Sequence, residues 1–331
     1  MTPTQMNAAS VGQRVRAHKL RATIWIAAAL AALAALPLVL SSYQTSIATQ
    51  VLIFSVLAMS IDILAGYAGR TSLGHGAIFG VSTYVAIYWT SSIGGDLWIG
   101  IALGILAATA LSAVFGLLAV RTSGVYFLLL TLALGMIVWG VCLRWTNVTG
   151  GENGLRGIGR PDFIADDKSF YYAVLIVVSL STFVMWRFVH SPFGLALRGI
   201  RDSESRMRSL GYNVSLHLFL AFLMSGLFAG IAGALYMLFN NFVSPSTVEL
   251  SQSVSGLLMA VTGGVGTLFG SFVGAAAIIV LENVVSTFTA RWPTILGLTF
   301  VLIMIFAPEG LVGRARILFA RRVQGARWKD K

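Results

Sequence analysis

Runs of about 18 or more apolar residues recur from one end of the chain to the other, each long enough to cross the hydrocarbon core of a bilayer as a helix. A soluble chain of 331 residues would alternate apolar with polar stripes; here 57% of residues are apolar and only 11% are charged. The mean hydropathy of +0.83 agrees. The fold class that follows is all-α, a polytopic transmembrane helix bundle, with no stretch left for a separate soluble domain.

Runs bounded by charge, Gly or Pro predict helices over 23–40, 45–65, 73–93, 97–120, 124–143, 169–189 and 214–240. Three more follow at 254–262, 268–285 and 294–307. The first of these is too short to span about 30 Å at about 1.5 Å per residue and reads as a half-helix. The basic lead over 1–22 contains Arg14, Arg16, Lys19 and Arg21, resembling the start of a secretory signal. The apolar core behind it is too long for one, so an uncleaved first helix is expected.

The net charge of +11 gathers at the membrane edges, which points to lipid headgroups and the positive-inside rule and away from nucleic acid. The lead and the basic tail over 314–331 are expected in the cytoplasm, so the number of crossings is even: ten fit, with eight as the alternative. The Arg-rich link over 190–213 is then cytoplasmic and the link over 144–168 external. The transmembrane domain covers 23–313. Cys142 is the only cysteine and lies in an apolar run, which excludes an internal disulfide or a cysteine-based metal cluster.

Glycines four apart, at Gly76 and Gly80, Gly100 and Gly104, Gly226 and Gly230, and Gly266, Gly270 and Gly274, predict close helix packing in lipid. Two Gly-rich breaks interrupt the bundle. One runs from Gly66 through Gly69, Ser72, Gly74 and His75 to Gly80; the other contains Gly263, Gly264 and Gly266. Irregular backbone at membrane depth persists only where protein or a water-filled route satisfies its polar groups, so both breaks are candidates for a translocation path, against the alternative of plain tight turns. The two look related, and both fall on the cytoplasmic side, where an inverted repeat would separate them.

Between Pro192 and Gly211 the sequence predicts a helix charged with both signs. At that length the link exceeds what a compact bundle needs, which suits a docking segment for a soluble partner.

With these segments, the Thr149-Gly-Gly-Glu-Asn-Gly-Leu155 stretch and Ala307-Pro-Glu-Gly-Leu311, the chain resembles the permease subunits of branched-chain amino acid ABC importers, in particular the longer of the two permease types. The resemblance covers about residues 50–312. It implies a heteromeric assembly in a bacterial inner membrane: this permease, a second related permease, two ATP-binding cassette ATPases and an extracytoplasmic binding protein. It also implies that Arg198, Arg201, Asp202, Glu204 and Gly211 belong to the segment that couples to the ATPase. Arg206 and Met207 depart from the small residues common there, giving a bulkier and more basic docking surface.

No cofactor or metal is expected on this chain: paired carboxylates and metal-spaced His clusters are absent from the sequence, as is a Gly-x-x-x-x-Gly-Lys-[Ser/Thr] phosphate loop. Asp62, Ser72 and His75 have the residue types of a nucleophilic triad without a spacing that recommends it. His75 is expected to start a helix and bond to nearby backbone. An ion-coupled secondary transporter would need more intramembrane acids than Asp62 and Glu282. Within the family, urea, short amides and other amino acids remain alternative substrates to leucine, isoleucine and valine.

Overall fold

The computed structural model describes residues 28, 30–289, 291–306 and 310–314. The basic lead, the tail beyond Arg314 and residues 307–309 of the Ala-Pro-Glu-Gly-Leu stretch lie outside the described residues. A short helix α1 (Leu30–Val39) leads into α2 (Ser42–Asp62), which continues as a π-helical turn over Ile63–Tyr67. There follow α3 (His75–Ser91), α4 (Leu97–Ala119), α5 (Val125–Arg144), the single turn α6 (Thr146–Thr149) and α7 (Asp167–Val189). Beyond these lie α8 (Pro192–Asp202), α9 (Glu204–Ser209), α10 (Val214–Asn240), α11 (Leu250–Gly263), α12 (Gly270–Phe288) and α13 (Trp292–Phe306).

Among the described residues six helices are long and apolar enough to cross a membrane by length and composition: Ser42–Tyr67, α4, α5, α7, α10 and α12. The helices α3, α11 and α13 are shorter, with 17, 14 and 15 residues. The expected half-helix over 254–262 is therefore α11, begun earlier at Leu250. The helix expected between Pro192 and Gly211 is two helices. Ser203 sits in extended backbone between them, and its hydroxyl accepts from Arg206 N, so it ends α8 and caps α9.

Polar caps fix several helix starts. Ser41 and Gln44 form a reciprocal capping box on α2, Asp96 accepts from the backbone N–H groups of Trp98 and Ile99, and Ser191 caps α8 with Pro192 at its first position. The core is built around α2, α3 and α10: α10 packs on α2, α3 and α4, while α7 and α12 flank α2, and α11 lies between α12 and α3.

The spaced glycines are where helices touch. A Cβ on Gly104 would meet the carbonyl of Ser82, one on Gly226 the side chain of Ser112, one on Gly230 that of Ala108, and one on Gly274 the carbonyl of Met259. In lipid, where apolar contact with a neighbouring helix gains nothing over contact with an acyl chain, such close approach and interhelical hydrogen bonds hold the bundle. Ser82 donates to Gly230 O at 2.7 Å, Thr83 to Gly233 O at 2.9 Å and Ser112 to Phe222 O at 3.2 Å.

A small ladder was not foreseen from the sequence. Strand β1 (Leu155–Arg156), which follows the Thr-Gly-Gly-Glu-Asn-Gly stretch, pairs antiparallel with β2 (Phe242–Val243), Leu155 opposite Val243. Asn241, just past α10, accepts from Gly157 N through its carbonyl and from Gly159 N through its side chain, so the long link is tied to the end of α10.

Candidate functional site

The two glycine breaks meet. In the π-helical turn the carbonyl of Leu64 accepts from both Ala68 N and Arg70 N, leaving the Gly66 carbonyl free to point out of the helix. Arg201 of α8 donates to it through Nη1 at 2.6 Å. From the second break, Gly266 N donates to Asp62 Oδ1 at 2.7 Å. A Cβ on Gly66 would overlap the backbone of Gly266 as well as the Asp62 carboxylate, so the two chains are in direct backbone contact.

Gly69 and Gly264 have φ of +69° and +116°, conformations L side chains rarely adopt. A Cβ on Gly69 would also press on the Arg201 side chain. Gly263 packs on Gly270, closing the second break into a tight turn between α11 and α12. Both breaks therefore lie at one end of the bundle.

The α8–α9 segment is amphipathic. Leu197 and Ile200 are buried against the bundle, and the Arg198 guanidinium lies over the Tyr67 ring at 5.0 Å. Glu204 forms an ion pair with Arg70 of the first break, and Arg70 also donates to Thr122 O at 2.8 Å in the turn between α4 and α5. Asp202 is exposed and accepts only from neighbouring Arg201, while Gly211 closes α9 with φ +86°. Of the expected coupling residues, three thus reach inward: Arg198, Arg201 and Glu204.

At the departing pair, Met207 packs down on Gly199 and is buried, whereas Arg206 is exposed. The outer surface is more basic at Arg206, and the bulk of Met207 goes into the seam between α8 and α9. Leu195, Leu210 and Tyr212 stand exposed on the outer side.

The remaining break residues belong to helix packing. Ser72 Oγ accepts from Gly74 N at 3.2 Å, and a Cβ on Gly74 would meet the Phe115 ring and Thr131 O. His75 does start α3, yet its bond is to a side chain: Nε2 lies 2.6 Å from Ser225 Oγ. Ser225 in turn donates to Ser60 O at 2.5 Å, which assigns the proton to His75 Nε2. Asp62, Ser72 and His75 thus bond to three separate partners and form no relay. Among the described residues no group of three His, Cys, Asp or Glu side chains could hold a metal ion.

A groove of about 300 Å³ lies between α3 and α5, lined by Val81, Tyr84, Val138, Val141, Cys142 and Trp145 among others. Its walls are almost wholly apolar, and the site built by the two breaks and α8 lies elsewhere, among Asp62, Gly66, Gly266 and Arg201.

Comparison with known proteins fits this architecture. Residues 43–308 match the family model described as branched-chain amino acid transport system, permease component. The chain belongs to that family. It is 28% identical over 320 residues to the high-affinity branched-chain amino acid transport system permease protein LivM of Salmonella typhimurium, covering 88% of this chain and 75% of that protein. The protein of the same name from Escherichia coli matches to the same extent. A probable branched-chain amino acid transport permease protein LivM of Methanocaldococcus jannaschii is 24% identical over 226 residues, 56% of this chain and 65% of that protein. No solved structure matches.

Proposed function

We propose that this chain is the membrane permease of an ATP-driven importer for branched-chain aliphatic amino acids. It works beside a second related permease, two cytoplasmic ATPase subunits and an extracytoplasmic binding protein. Family membership supports the transport role, and the relatives' names support the substrate.

One structural observation carries the energy-coupling reading. The α8–α9 segment has an inner face bonded to the first glycine break, which touches the second, and an outer face that exposes Leu195, Arg206, Leu210 and Tyr212. Large exposed apolar side chains beside a basic one, on a segment outside the helices long enough to cross a membrane, fit a protein docking surface. A push delivered there by an ATPase would arrive at the breaks through Arg201 and Arg70. The chain itself needs no nucleotide site for such a mechanism.

The test is made on the outer face, because Glu204 is engaged inside the chain and its reversal would disturb Arg70. Leu210→Asp combined with Arg206→Glu is expected to remove the ATPase subunits from a pull-down of the tagged permease and to abolish uptake of radiolabelled leucine in proteoliposomes. Full recovery of the ATPase subunits with normal uptake would place the docking site elsewhere. Competition of labelled leucine uptake by isoleucine and valine, set against urea and acetamide, checks the substrate.

A further inference from the structure

Four groups from distant parts of the chain form one knot where α2, α8 and the α11–α12 turn converge. Asp62 and Gly66 come from α2 and its π-turn, Arg201 from α8 and Gly266 from the second break. Each bond answers a defect in regular structure. The π-turn strands the Gly66 carbonyl, and Arg201 supplies a charged donor. The turn after Gly264 strands the Gly266 N–H, and a carboxyl oxygen of Asp62 accepts from it. The Asp62 bond joins the two breaks, and the charged Arg201 donor ties α8 to the first of them through a bond roughly twice as strong as a neutral one.

The knot is also sealed. Gly66 and Gly266 touch backbone to backbone with no room for a methyl group. No solute can pass between α2 and the second break while they do. Yet the arrangement is not fully satisfied: Asp62 Oδ2 is buried without a hydrogen-bond partner. A buried carboxylate oxygen left orphaned disfavours this state relative to one in which the breaks part and water reaches the carboxylate. A second conformation with separated breaks is therefore within reach, provided Arg201 is withdrawn from Gly66.

We propose that Asp62 and Arg201 are gating residues: Asp62 bolts the two glycine breaks shut at the α8 end of the bundle, Arg201 ties α8 to the bolted pair, and displacement of α8 draws the bolt. The proposal rests on the reading of α8–α9 as the ATPase-docking segment. It adds where the displacement acts and through which bonds. Glu204–Arg70 serves beside it as the hinge that keeps α9 on the bundle while α8 moves.

The geometry offers a direct test. A Cβ placed on Gly69 would lie 3.4 Å from Arg201 Cβ, close to the separation a disulfide needs. In a Cys142→Ala background, Gly69→Cys with Arg201→Cys is expected to form a disulfide under mild oxidant that stops leucine uptake by the reconstituted importer. Reductant should restore uptake to the level of the unoxidised double variant. A disulfide that forms and leaves uptake intact would overturn the proposal, as would failure of the pair to cross-link.

A second measurement leaves the glycines alone and guards against the strain of a side chain at Gly69. Arg201→Ala should raise ATP hydrolysis without loaded binding protein about tenfold, within the range of ordinary coupling factors, while the subunits still assemble. Arg201→Lys, which keeps one donor and the charge, should fall between Arg201→Ala and the unaltered protein. Unchanged basal hydrolysis in Arg201→Ala, with assembly intact, would overturn the bolt. Loss of ATPase docking in the Leu210→Asp, Arg206→Glu variant concerns the coupling surface alone and leaves the cross-linking result to stand or fall separately.

Discussion

Ser225 joins three helices with one hydroxyl: on α10, it donates to Ser60 O of α2 and accepts from His75 Nε2 of α3. Buried hydroxyls elsewhere, such as Ser82, make a single interhelical bond. Ser225→Ala removes both bonds and leaves His75, whose Nδ1 already lacks a partner, with no hydrogen bond at all. The expected loss is about 1–3 kcal/mol, against about 0.5–1.5 kcal/mol for Ser82→Ala. Adding His75→Phe to Ser225→Ala should recover most of it, because removing both partners costs less than orphaning one. Thermal unfolding of the three variants in detergent checks the order; equal losses for Ser225→Ala and Ser82→Ala would contradict the bridging role. The sequence places His75 correctly at a helix start but pairs it with nearby backbone, since nothing local signals a partner 150 positions away.

Element boundaries were legible because apolar runs in lipid end where charge, Gly or a capping side chain appears, as at Asp96 and Ser191. Ser203 offered the same kind of signal in its hydroxyl beside Glu204, yet the helical reading of Pro192–Gly211 ran through it. The π-turn at Ile63–Tyr67 and the contact between the breaks carry no local signature; they arise from where α8 and the α11–α12 turn happen to dock. That docking gives Glu204 its internal role. Breaking its pair with Arg70, whose side chain is only 6% exposed, leaves a buried guanidinium held by Thr122 O alone. Half of the pair faces solvent, since the Glu204 side chain is 34% exposed, so the coupling energy in a double-mutant cycle of Arg70→Met and Glu204→Gln is expected near 1–2 kcal/mol and not the larger value of a fully buried pair. Chemical unfolding of the detergent-solubilised variants measures it. Additive losses would show that the pair does not hold α9 to the first break.

The course of the whole chain sets which loops share a side of the membrane. Starting from the α8 end, the 66–74 break, the 120–124 turn and α9 are drawn together by Arg70, and the α11–α12 turn joins them through Gly266. Gly310, beyond α13, approaches Gly264 at the same end. At the opposite end β1 meets β2 and the 157–159 segment meets Asn241. Passing from one cluster to the other, α2, α3, α4, α5, α7, α10, α11, α12 and α13 alternate in direction, with α1 turning into α2 at Ser41. Along this course six helices among the described residues are long and apolar enough to cross a membrane. The course also explains why two similar breaks share a side: they are partners in one contact, not mirror positions in an inverted repeat.

Charge then orients the bundle. Links at the α8 end carry Arg70, Arg121, Arg198, Arg201, Arg206 and Arg208 against Asp202 and Glu204, whereas those at the other end carry Arg156, Arg160 and Arg291 against Asp96, Glu152, Asp162, Asp166 and Glu249. By the positive-inside rule the α8 end is predicted to face the cytoplasm. Asn153 and Arg206 are both exposed, at opposite ends. Single cysteines at these positions, with Cys142 replaced by Ala, are expected to separate cleanly: a membrane-impermeant thiol reagent applied to intact cells with any outer membrane permeabilised should label position 153 and spare position 206 until the inner membrane is opened. Labelling of 206 alone would invert the molecule. Labelling of both in intact cells would break the alternation and with it the placement of the bolt on the side where an ATPase can reach it.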